Sequence, residues 1–164
     1  MSIAEELVKS REFNDIFLLV KKAVYRTLGR RRVGLMLGLS DMPSTVAAYY
    51  SPNIIVLNRK LIEKLKREAD DENIIKSYIF EVLLHEYLHS LGYDEAYTSE
   101  LAYIICKNNL GEDHPATKIS KYGIRSILQS VKEIDEDLNR PVRMKPKNIE
   151  FIKGFDSENV TYLA

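Results

Sequence analysis

A single cysteine, Cys106, is the only thiol in this chain, which excludes an internal disulfide and points to a reducing compartment, the cytoplasm. Neither sign of charge predominates: 24 Lys plus Arg face 24 Asp plus Glu, a balance that offers nothing to draw a nucleic acid or a membrane surface. No hydrophobic run approaches the roughly 18–20 residues a membrane span requires. The opening MSIAEELVKSREFNDIF has no basic segment followed by an apolar one, so no secretory signal is expected. Internal repeats and low-complexity tracts are missing too. What remains is ordinary in bulk, 45% hydrophobic and 29% charged over 164 residues, enough for one domain with a real core.

Apolar residues recur at helical spacing through 3–28, from Ile3 and Leu7 to Phe13, Ile16, Phe17, Val20, Val24 and Leu28, predicting one helix or two broken near Ser10. Gly29 is a natural stop. After the basic run at 30–32, β-branched and aromatic residues cut by SDMPS and SPN predict short strands at roughly 33–38, 44–50 and 53–57. Asn58 can cap a helix to about Ala69, and Asn73 one that runs to about Leu91 and stops at Gly92. Further helices are expected over about 95–110 and 115–138, then an irregular tail with a short strand at 149–152. The expected architecture is α+β: one small domain over 1–164 with its core at about 33–130, and an irregular segment over 140–164. A short mixed sheet of about three strands should pack on a buried helix, with further helices around it.

That buried helix carries FEVLLHEYLHSLGYDE, Phe80 to Glu95, with two of the three histidines in the chain. Residues four apart lie on one face of a helix, so His85 and His89 can aim two imidazole nitrogens at one point, as a zinc ion requires. Glu86 lies about 100° further round, too far to join them as a ligand but placed to hold a metal-bound water as general base. Phe80, Leu84, Leu88 and Leu91 line one side of the helix, and Ile75, Tyr78, Ile79 and Val82 much of the other. A helix apolar nearly all round belongs inside the protein, where two histidines and a glutamate need partners. A metal with its water would satisfy all three.

Through HEYLH at 85–89 the sequence resembles the zincin superfamily of zinc metallopeptidases. The longer HEYLHSLGYDE looks like the metzincin extension HExxHxxGxxH, with Gly92 in the glycine position and Glu95 where that group has its third histidine. Carboxylates are ordinary zinc ligands, and the gluzincin branch uses a glutamate. Glu95 is therefore the first candidate for third ligand, His114 the second, and Glu100, in SELAYIIC, the third. A helix of about 15 residues would carry His114 some 20 Å from the motif, so it can equally cap the helix starting at Pro115, and Asp94 the helix before it. Met144 in PVRMKPK stands where a metzincin-like methionine turn could, and Tyr93 is the tyrosine nearest the motif. The block STVAAYYSPNIIVLN resembles the strands that precede the zincin active-site helix, one of them an open edge for an extended peptide.

The resemblance implies a peptidase with one Zn2+, His85 and His89 as ligands, and Glu86 activating the attacking water. Its substrate would be a peptide or protein. Two alternatives stand beside it. HxxxHxxGYD also resembles small bacterial endoribonucleases that mature ribosomal RNA, and the arginines at 30–32 could touch phosphate. That family does not use an acid where Glu86 stands. A non-catalytic, zincin-like regulatory or binding domain is the other; a closed site holding both Glu95 and His114 would mark it. An irregular C-terminal segment that covers the cleft is a further expectation.

Overall fold

The computed structural model describes residues 1–43, 46–127 and 145–156. Among these the order is α1 (Ile3–Lys9), α2 (Phe13–Leu28), β1 (Met36–Ser40), β2 (Ala48–Ser51), β3 (Ile54–Asn58), α3 (Arg59–Glu68), α4 (Glu72–Ser90), α5 (Glu95–Leu110), α6 (Pro115–Tyr122), a 3-10 turn at Ile124–Ser126, and β4 (Glu150–Phe151). This is an α+β domain with a mixed sheet of four strands, ordered β2-β3-β1-β4. β1 runs parallel to β3, with Met36 opposite Ile54, while β2 and β4 are antiparallel to their neighbours. The strand expected at 149–152 is the fourth member.

The break near Ser10 divides the first helical stretch in two. Ser2 and Glu5 form a reciprocal capping box on α1, and the Asp15 carboxylate accepts the Arg11 and Glu12 amides at the start of α2. Both helices belong to the core: Ile3, Leu7, Phe17 and Val20 are each at most 2% exposed, so the core begins 30 residues before the expected position 33. The apolar periodicity of the first 28 residues already carries this, because a helix with one apolar stripe must bury it.

Two expected caps are corrected. Asn58 stands at the start of α3, but its amide is turned inward. It accepts from Met42 N–H at 3.1 Å and donates to the carbonyls of Met42, Pro43 and Val46, pinning the loop before β2. Asp71, not Asn73, caps α4, its carboxylate accepting the Asn73 N–H at 2.9 Å. An ionised oxygen is the better acceptor for amides at the positive end of a helix.

α4 is the axis of the molecule, packed against α1, α2, α3, α5 and α6 and against strands β2 and β3. Its buried residues cover every side, from Ile75 and Tyr78 to Leu84 and Leu88. The segment 145–156 closes the far edge of the sheet, across from β2. A side chain at Gly38 would strike Ile149, which explains a glycine inside a strand. Phe155 stacks on Phe17 with centroids 4.4 Å apart. Asp156 is fully buried: one carboxylate oxygen meets Lys21 Nζ at 2.6 Å, and the other accepts the Gly34 and Leu35 amides at 2.6 and 3.0 Å. The described part of the tail therefore lies away from the His85–His89 face and does not cover it. Met144 and the helical residues expected at 128–138 lie outside the described residues.

Candidate metal centre

α4 ends at Ser90, and Gly92 reverses the chain with φ +100°, a conformation that glycine adopts freely and L side chains resist. Gly92 N–H bonds back to His89 C=O at 2.9 Å, and Tyr93 N–H to Leu88 C=O at 3.4 Å. Asp94 then caps α5, accepting the Tyr97 amide at 2.8 Å, and Glu95 becomes the first residue of that helix. This tight reversal folds Glu95 back over the histidine face.

His85 Nε2 lies 2.9 Å from Glu95 Oε1, and His89 Nε2 lies 2.7 Å from Glu95 Oε2. The two rings are edge to face, 4.9 Å between centroids. The donor atoms of His85, His89 and Glu95 all lie within 4.8 Å of one another, close enough to hold one metal ion. Two imidazoles and a carboxylate are a donor set that zinc accepts, and three protein ligands leave a fourth position open. The residues fit such an ion.

Charge holds the metal-free arrangement together. Burial pulls the His85 pKa down, but the hydrogen bond to Glu95 and the charges of Glu81, Glu86 and Glu95 outweigh it and lift it to about 9. For His89 the Glu95 hydrogen bond dominates and the pKa is raised. Burial works against Glu95 ionising, yet the two histidines bring its pKa down to about 2. His85 is then protonated at neutral pH, and both imidazoles donate from Nε2 to the ionised carboxylate between them. His89 also donates from Nδ1 to Tyr93 C=O at 3.0 Å, which fixes the ring and leaves Nε2 free for a ligand.

Glu86 is half-buried beside this group; burial raises its pKa while the charges of His85 and His89 oppose the rise. One turn before His85, Glu81 is only 6% exposed, and burial pushes its pKa up to about 7. From the sheet, the Tyr50 ring on β2 lies nearly parallel to His89, 6.3 Å between centroids. Arg32 donates its backbone N–H to Tyr87 Oη at 2.8 Å, and its guanidinium to Ser90 C=O, Pro52 C=O and Asn53 Oδ1, tying the end of α4 to the β2–β3 turn.

Of the residues singled out from sequence, His85, His89 and Glu95 come together. His114 does not join them: it caps α6, its Nδ1 accepting the Ala116 amide at 3.1 Å. Glu100 is exposed on α5 and is likewise outside the group. Within the arginine run that the ribonuclease alternative would set against phosphate, Arg32 donates to backbone carbonyls, and Arg30 stands 5.2 Å over the Tyr93 ring. Sequence reading missed Tyr50, Glu81 and the tie that Arg32 makes to the end of α4. Only Glu81 carried a signal, a charged residue amid the apolar positions of a helix predicted to be buried. No protein-family model, curated protein or solved structure matches this chain.

Proposed function

We propose that the protein is a zinc-dependent metallopeptidase, with His85, His89 and Glu95 as metal ligands and Glu86 as general base. The observation that carries this reading is the convergence of both imidazole Nε2 atoms on the Glu95 carboxylate, with Glu86 beside them. Bound there, zinc would polarise a substrate carbonyl and lower the pKa of a water at its open position. Glu86 takes the proton from the attacking water on a carboxylate oxygen and passes it to the leaving amine.

β2 pairs with β3 on one side only, and among the described residues no strand covers its other edge. An extended peptide adds to such an edge through backbone hydrogen bonds, which would lay its chain past Tyr50 toward His89. No helix among the described residues is long and apolar enough to cross a membrane, and the one cysteine is buried and free. A peptide or protein substrate in a reducing cytoplasm fits both.

Zinc-loaded protein should cleave members of a broad peptide library, and chelation should abolish cleavage. Glu86→Gln should lower the rate by about 10²–10⁴-fold at unchanged zinc content. Glu95→Ala should lose zinc, whereas His114→Ala keeps it. Equal inertness of loaded wild type and Glu86→Gln would leave a metal-binding domain without peptidase activity.

A further inference from the structure

We infer that Glu81 is the positioning residue of the metal centre, accepting the Nδ1–H of His85 when the site is loaded. This rests on the ligand set proposed above. The two histidines are unequally supported. His89 has its Nδ1 tied to Tyr93 C=O, whereas His85 makes no hydrogen bond at Nδ1 among the described residues. A histidine that ligates through Nε2 is held in its tautomer and orientation by an acceptor at the other nitrogen. His85 therefore needs one.

Glu81 is the group placed to supply it. It lies four residues before His85 on α4, on the same face and within about 5–6 Å between Cβ atoms. Side chains on a helix lean toward its N-terminus, so the His85 ring leans over the turn that carries Glu81. Glu81 is only 6% exposed, no hydrogen bond to its carboxyl is found among the described residues, and His85 is the first charge that acts on it. A buried carboxyl without a partner opposes folding. Around it stand the buried Tyr78 hydroxyl, itself unpartnered, and the buried Cys106 on α5. Neither gives Glu81 a hydrogen bond in this structure. Once loading has expelled the Nε2 proton, Nδ1–H is the one donor His85 retains, and the Glu81 carboxylate is the acceptor assigned to it.

Two substitutions and a spectrum test this. Glu81→Met removes the acceptor and fills the space. It should weaken zinc binding by about 10–100-fold, while the metal-free protein unfolds at the same or a higher temperature than wild type. Glu81→Gln keeps an oxygen that can accept Nδ1–H and should hold zinc within about fivefold of wild type, a rescue that packing alone does not give. In zinc-loaded wild type, the His85 Nδ1–H resonance should be sharp and protected from exchange, and Glu81→Met should broaden it. Unchanged zinc affinity in Glu81→Met overturns the inference, as does a rapidly exchanging His85 Nδ1–H in wild type should Glu81→Met fail to fold. Wild type that binds zinc, and loses it on His85→Ala, while ignoring Glu81→Met sinks this inference alone. Wild type that binds no zinc sinks the ligand set with it.

Discussion

Glu95 holds two imidazoles with one carboxylate, and in the metal-free protein it is protons on those imidazoles that keep the three groups together. The consequence is a stability that depends on pH. The folded pKa of His85, about 9, lies above its ordinary 6.5, so its contribution is complete below pH 6.5 and disappears as pH climbs through 9. Glu95 runs the other way: lowered from 4.5 to about 2, it contributes above pH 4.5 and ceases to as pH falls through 2. Glu81, raised from 4.5 to about 7, opposes folding increasingly across that interval. Metal-free protein should be most stable at about pH 5 and lose on the order of 2 kcal/mol by pH 9, read from urea unfolding at each pH. Zinc reverses the trend, because binding must expel the imidazole protons and affinity therefore rises with pH. A flat profile between pH 5 and 9 would show that no imidazolium–carboxylate cluster forms. The spacing of His85, His89 and Glu95 made this cluster legible in advance. Glu81 was visible only as a charge amid the apolar positions of α4, and its place beside His85 needed the packing of the folded chain.

The element that organises the site is α4, and its place could be read from apolar residues on every side of one helix. Where it ends, and what it faces there, could not. Arg32 stood in a run notable only for its ability to touch phosphate, yet its guanidinium reaches the Ser90 and Pro52 carbonyls and fixes the metal-bearing helix against the β2–β3 turn. Such a tie joins residues 58 positions apart, beyond the reach of any local pattern. Arg32→Ala should cost about 2 kcal/mol in denaturant unfolding, as hydrogen bonds from a charged donor do. Arg32→Lys should recover at most half of it, since one ammonium cannot span carbonyls that a guanidinium bridges. Full recovery by lysine would mean that charge alone matters there. Asn58 failed as a cap for a related reason: a side chain able to cap α3 was worth more to the loop that opens into β2, where four backbone groups needed partners.

Across the whole molecule, α2 and the last described segment meet in a buried ion pair, Lys21 with Asp156. Helical periodicity identified the first 28 residues as helical, and β-propensity found the strand at 150–151, but nothing local connects Lys21 with Asp156. Their partnership is a property of the closed fold. Asp156→Ala would take the carboxylate away from the buried Lys21 ammonium and leave the Gly34 and Leu35 amides without their acceptor. The loss should be about 3–5 kcal/mol, on the order of 10 °C in Tm. A shift of under 2 °C in a calorimetric scan would mean that water reaches Lys21 and the pair is not sealed.

That pair also sets a timetable for the newborn chain. Lys21 leaves the ribosome 135 residues ahead of the carboxylate that will neutralise it. At roughly 5–20 residues per second, the interval is on the order of ten seconds. Until then the contact between Lys21 and Asp156 cannot form, so the packing of Phe155 and Asp156 against the inner side of α2 waits until residue 156 has been made.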